Sequence, residues 1–238
     1  MTDFVLIPGE WMGAWIWDVP RTTLDKSGHN AYGMTLTGLA EETDESCDHI
    51  RLETHVQDVV RLLEHEGLTD AVLVAHGYAG IVAGIVAGRV PERVRHTVFV
   101  DAFLPVEGKS MFDLINVKSA RIFEDMIEQN NGWWPKPSWT DFTQHGMPIE
   151  REMWLGEHVV PHPGRTVRDE AYVPKPMHEL SATYIKCTQP YGELYSDEVQ
   201  ALRDGSAWQF LAWDLGHWPM AVSPTKLAFF LMNGIAYQ

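Results

Sequence analysis

The 238-residue chain has little sulfur, little positive charge and no long apolar run. Its two cysteines, Cys47 and Cys187, are too few for a disulfide framework, which points to reduced thiols. Lys and Arg number 18 against 33 Asp and Glu, a formal net charge of −15. Such a balance repels phosphate, so nucleic acid is an excluded partner class and an anionic membrane surface is disfavoured. No stretch reaches the roughly 18 consecutive apolar residues of a membrane span. The opening "MTDFVLIPGE" has no basic region ahead of its apolar run, so no secretory leader is expected and a cytoplasmic protein is. Metal-ligand spacing is missing too. Pro161 interrupts any helix that could pair His158 with His162, while His145 and His178 stand alone. "GYAGIVAG" (77–84) lacks the G-x-G-x-x-G order, and no phosphate loop occurs elsewhere. Neither a metal nor a cofactor is expected.

What is present is an alternation of apolar runs and helical patterns. Strands are predicted at 4–8, 30–34, 71–75, 96–103, 182–187 and 208–214, and helices at 14–28, 54–67, 79–88 and 223–234. In 54–67, Val56, Val59, Val60, Leu62 and Leu63 share one face. The uncharged 79–88 reads as a buried helix, with Gly80, Gly84 and Gly88 on a stripe suited to close packing against a sheet. Ser223 is the expected cap of the last helix and Gly234 its stop. Strand–helix alternation implies an α/β fold, a mostly parallel, doubly wound sheet with helices on both faces. The proline- and aromatic-rich stretch 105–180 breaks the rhythm. It reads as a cap inserted into a core made of 1–104 and 181–238, over the sheet edge where open α/β sheets bind ligands.

Six motifs carry a resemblance over nearly the whole chain: "FVLIPGEWMGAWIW", "LTGLAEET", "LETHVQDVVRLLE", "VLVAHGYAG", "VPERVRHTVFVDAFLP" and "DLGHWPMAVSP". In this order they resemble the α/β-hydrolase superfamily, in particular bacterial esterases related to plant methylesterases and hydroxynitrile lyases. The resemblance implies a Ser, then Asp or Glu, then His triad. His217 matches the histidine. The serine position, at the tip of the strand-to-helix turn, is Gly77, which has no side chain to acylate. The usual place for the acid falls at Gln189 or Pro190, and neither can serve. Glu193 and Asp197 lie a few residues on. Asp101, after "TVFV", stands at a second place where the superfamily carries an acid; its other reading is a structural role in that turn. Asp214 reads as a loop anchor.

The resemblance also implies an oxyanion hole. Its donors would be the Tyr78 backbone N–H and the loop "PGEWMG", where Glu10 replaces the small apolar residue of relatives. A carboxylate there opposes an oxyanion. If buried beside His217 it is a candidate general acid or base; otherwise it points to solvent. Trp11, His76, Trp133, Trp134 and Trp218 are candidate pocket residues, and each alone is equally compatible with core packing. Three functions follow. One is cofactor-free acid–base catalysis by His217 and Glu10, with Asp101, in a cyclisation, lyase, isomerase or dehydration step on an apolar aromatic or polycyclic small molecule. Another is an esterase whose serine has been replaced by glycine. The last is a non-catalytic receptor for a small apolar ligand. A homodimer is compatible with any of them.

Overall fold

The structure is a computed structural model that describes residues 1–42, 45–193 and 195–235. Thr43, which closes "LTGLAEET", and Leu194, in the stretch searched for an acid, lie outside the described residues. The strands in chain order are β1 (Asp3–Ile7), β2 (Asn30–Gly33), β3 (Ala71–His76), β4 (Val94–Val100), β5 (Trp133–Trp134), β6 (His162–Pro163), β7 (Ala182–Cys187) and β8 (Gln209–Trp213). Six of them form one sheet in the order β2-β1-β3-β4-β7-β8. Every pair within it is parallel. The chain starts in the sheet, steps outward to β2, then crosses β1 to lay down β3 on its other side. The order therefore reverses between β1 and β3, and their C-terminal ends splay apart there. Ligands of open α/β sheets bind in that crevice.

The helices are α1 (Asp18–Lys26), α2 (Leu52–His65), α3 (Ala79–Arg89), α4 (Val117–Gln129), α5 (Ile149–His158), α6 (Gly164–Arg168), α7 (Asp197–Gly205), α8 (Pro219–Val222) and α9 (Pro224–Asn233). All six residues of β3 are buried, as are Ala79 through Ala87 of α3. A Cβ on Gly84 would lie 2.7 Å from the Pro105 side chain, so small residues let α3 settle close to the chain leaving β4. The face of α2 that carries Val56, Val59, Val60 and Leu63 is buried, as its periodicity predicts.

Three local expectations are corrected. The helix expected over 14–28 is a single 3-10 turn at Ala14–Trp17 followed by α1, whose first turn accepts Pro20 because the missing N–H has no partner there to lose. The strand expected to reach 103 stops at Val100, because Asp101 takes a left-handed φ of 43°. Ser223 precedes α9 but its hydroxyl makes no cap bond, and Pro224 at the first helical position has no N–H to offer.

The segment 105–180 contains α4, α5, α6 and the small antiparallel pair β5–β6, and stands outside the main sheet. Its buried Phe112, Ile127, Trp134 and Val167 join the same apolar core as β3, α2 and α3. It is therefore packed onto the sheet core and builds no separate one. Among the described residues no helix is long and apolar enough to cross a membrane.

Candidate active site

β3 ends at His76, and α3 begins at Ala79. The turn between them is Gly77, at φ 54°, and Tyr78. Glycine reaches this left-handed conformation without the steric penalty an L side chain meets. Opposite stands the loop after β1. There Glu10 is 9% exposed and its Oε2 accepts the Tyr78 backbone N–H at 2.9 Å. A Cβ added to Gly77 would lie 2.5 Å from that same Oε2. The Glu10 carboxylate thus fills the space a side chain at position 77 would need.

The cap segment holds the next residue. Trp11 has φ 64°. Its carbonyl accepts the Val160 N–H at 3.0 Å, and its N–H points at His162 Nδ1 at 3.4 Å. The tautomer of His162 follows from its neighbours. Thr166 Oγ1 gives its one proton to the Pro163 carbonyl at 2.7 Å, so it accepts from His162 Nε2 at 2.8 Å. Nδ1 is then the bare acceptor for Trp11. Burial holds the His162 imidazole well below its ordinary pKa. A second neutral ring fixes Tyr78. His55 Nε2 donates to the Thr37 carbonyl at 2.8 Å, so its Nδ1 accepts the Tyr78 hydroxyl at 3.0 Å. Burial pushes His55 down to about 4 and the Tyr78 phenol up.

His217 lies in the loop after β8. Its Nδ1 is 2.7 Å from Asp101 Oδ2. The other carboxylate oxygen of Asp101 accepts Lys186 Nζ at 2.7 Å and the Cys187 N–H at 3.3 Å. Burial alone would raise the Asp101 pKa, but the bond and charge of His217, with Lys186, outweigh it and hold the carboxyl below the usual range. Burial would likewise depress His217. The Asp101 bond, then the charges of Asp101 and Glu10, overcome that and leave the imidazole raised. The main chain of His217 is pinned at both ends: its N–H donates to His145 Nδ1 at 3.2 Å and its carbonyl accepts His76 Nε2 at 2.8 Å.

The sequence-predicted residues separate into two groups. Glu10, Gly77, Tyr78, Asp101 and His217 converge. Trp11 and Trp134 pack at a tilt of 55° with ring centroids 4.3 Å apart, and Trp218 meets the His217 ring edge-on at 4.9 Å. Two pocket expectations are corrected. Trp133 packs in a separate cluster with Cys47 and Ile50, where its indole donates to the Glu45 carbonyl. His76 is 1% exposed and lies behind His217; burial, then the His217 charge, push it down to about 3, so it is a fixed neutral donor. The other acids are occupied elsewhere. Glu193 is exposed and pairs with Tyr195 and Arg203, Asp197 opens α7, and Asp214 accepts the Gln189 amide.

Sequence reasoning missed Lys186, His145 and the positioning pair His55 and His162. Lys186 had a legible signal: in "ATYIKC" it is the one charge in an apolar strand and shares a face with Tyr184. The histidines had none, because their partners come from distant parts of the chain. A cavity of about 240 Å³ opens beside His217, with Asp101, Leu114, Tyr184, Lys186 and Ser196 in its wall. Among the described residues no group of three or more His, Cys, Asp or Glu could hold a metal ion. The site offers one carboxylate on a backbone donor, one imidazole oriented by a second carboxylate, and no side chain at position 77.

Comparison with known proteins places this geometry. Over 115 residues the chain is 38% identical to the carbendazim hydrolyzing esterase of Nocardioides sp. (strain SG-4G), a match covering 48% of each chain. It is 34% identical over 106 residues to methylesterase 9 of Arabidopsis thaliana, covering 44% of this chain and 41% of that one. The chain thus spans about half the length, or less, of the curated relatives it matches. Among solved structures, an extracellular alpha/beta-hydrolase from a Paenibacillus species, described as homologous to tobacco salicylic acid binding protein 2, superposes over 100% of both chains with a TM-score of 0.85 at 23% identity. Tomato methylketone synthase I in complex with 2-tridecanone superposes over 99% of both with a TM-score of 0.67 at 16% identity. At those identities the likeness speaks for the fold. The alpha/beta hydrolase family pattern matches residues 4–228, and the chain belongs to that family.

Proposed function

We propose that this protein is a cofactor-independent acid–base enzyme on a hydrolase scaffold. One observation carries the reading. The Glu10 carboxylate takes the Tyr78 N–H that would otherwise serve an oxyanion, and occupies the room of a side chain at Gly77. A covalent acyl route needs a nucleophile and a free oxyanion donor; neither fits around Glu10 in this position. Proton transfer needs what is there. Glu10 is the base, with lone pairs left over after one hydrogen bond. His217, whose pKa the Asp101 bond and charge raise, is the matching acid. General acid–base catalysis of this kind contributes about 10²–10⁴ in rate, and positioning adds to it. The reaction class is a cyclisation, elimination, isomerisation or dehydration of a small apolar aromatic molecule, and the cytoplasm is its proposed setting.

The second reading is an esterase that lacks its serine. The names of the relatives and the intact His217–Asp101 pair favour it. Three probes separate the two. 5-Nitrobenzisoxazole opens when a base removes its carbon-bound proton; an aryl acetate reports hydrolysis; a fluorophosphonate labels activated serine. Expected for the purified chain is ring opening lost in Glu10→Gln, no label, and no burst hydrolysis even in Gly77→Ser. Strong burst hydrolysis in Gly77→Ser, with ring opening indifferent to Glu10→Gln, would overturn the proposal in favour of the esterase.

A further inference from the structure

The cavity beside His217 has a neighbour. Two of its wall residues, Leu104 and Glu198, also line a groove of about 450 Å³ between the chain leaving β4, the stretch 172–178 and α7. The two spaces differ in character. The cavity holds donors: Lys186 gives one proton to Asp101 and keeps others, and Ser196 Oγ accepts the Val199 N–H, leaving its own proton free. Lys186 and His217 share the one Asp101 carboxylate, each at 2.7 Å, and Lys109 lies 3.5 Å from Glu198. It therefore suits a head rich in acceptors. The groove is apolar, walled by Pro105, Val106, Val173, Met177 and Leu202. It is also built in advance. The Glu107 carboxylate accepts the Val173 N–H at 2.6 Å, and Ala171 exchanges backbone bonds with Gly108 and Lys109, so its two sides are tied together before anything binds.

We infer that the substrate is an elongated amphiphile, with a carbonyl-bearing head at His217 and Lys186 and an apolar tail laid along the groove past Leu104. The identification of His217 as the group that works on the head rests on the proposed function; the binding itself does not. A preorganised groove costs little ordering on binding, so the tail should read out directly in affinity. Each methylene taken out of water there should tighten binding by about twofold to fourfold, the range from partial to full burial.

The test uses N-alkylacetamides, which carry a neutral carbonyl head and undergo neither proton abstraction nor ready acyl transfer. Binding is measured calorimetrically along a series from about four to about ten carbons, where each step adds the same apolar area. Four proteins are compared: the chain as it stands, Leu202→Arg, Val106→Arg on the opposite wall, and Glu10→Gln. Expected is a twofold to fourfold gain per methylene in the unaltered chain and in Glu10→Gln, and a flat series in both arginine variants with the shortest member bound unchanged. Affinity independent of length in the unaltered chain, or a slope that survives both arginines, overturns the inference. Failure of the acid–base reading shows differently: 5-nitrobenzisoxazole opening persists in Glu10→Gln while the chain-length slope stays intact.

Discussion

Two carboxylates raise the His217 pKa, and they are held in opposite ways. Asp101 is surrounded by donors: His217, Lys186 and the Cys187 amide reach its two oxygens. Glu10 accepts one backbone N–H, and its nearest architectural neighbour is a glycine that leaves it room. The first arrangement makes a permanent charge. The second leaves a carboxylate with lone pairs to spare. Two buried acids near one imidazole are not equivalent when the number of donors each has differs so much.

The sharpest way to break this contrast is Asp101→Asn. It removes the charge that raises the His217 pKa and orients the ring, and it strands Lys186. By analogy with the same change in serine proteases, ring opening of 5-nitrobenzisoxazole should fall about 10⁴-fold, and urea unfolding should show a loss of about 3–5 kcal/mol for the orphaned partner. Glu10→Gln should separate the two effects. Activity should drop about 10²–10⁴-fold while the urea midpoint hardly moves, because the amide oxygen still accepts from Tyr78. A destabilisation as large as that of Asp101→Asn would erase the distinction. Gly77→Ser tests the room beside Glu10. An L side chain in that backbone conformation costs about 1–2 kcal/mol, and the added Cβ must displace the carboxylate; Glu10→Ala in the same chain should restore the part due to the clash and leave the backbone cost.

The smallest effect is a pH dependence. The folded pKa of His217 is raised above 6.5, so its pairing stabilises the fold fully below that value and ever less as pH climbs through the raised one. Asp101 is depressed below 3.8; its contribution is complete above that value and fades only as pH falls through the lowered one. The stability gap between the unaltered chain and His217→Ala, measured by urea at about pH 6 and about pH 9, should therefore shrink at the higher pH. A gap that widens would reverse the assignment.

The sheet was legible because it follows periodicity. The apolar run 71–75, the charge-free 79–88 and the amphipathic 54–67 each dictate one element and one buried face. The strand-end residues were legible from motif order, since Gly77, Asp101 and His217 sit at fixed offsets from those elements. The segment 105–180 was not. Its helices α4 and α5 are partly exposed, and its shape depends on contacts such as Trp134 on Trp11 that no local pattern encodes. Trp133 shows the same limit from the other side. Adjacent residues in a strand point oppositely, so of "WW" one faces the site and the other leaves it. The choice of Asp101 over the acids near 189–197 was open in the sequence. It is a matter of distance, fixed by where β4 and β8 stop.

The bond from Trp11 to residues 160–162 has a mechanical consequence. The peptide that follows Glu10 is gripped through both its N–H and its carbonyl by the segment that roofs the site. Any lifting of 160–162 from the sheet pulls both grips loose, and the left-handed Trp11 relaxes with them. Residues 160–162 and the loop after β1 are thus coupled through Trp11: a displacement of either is carried to the other.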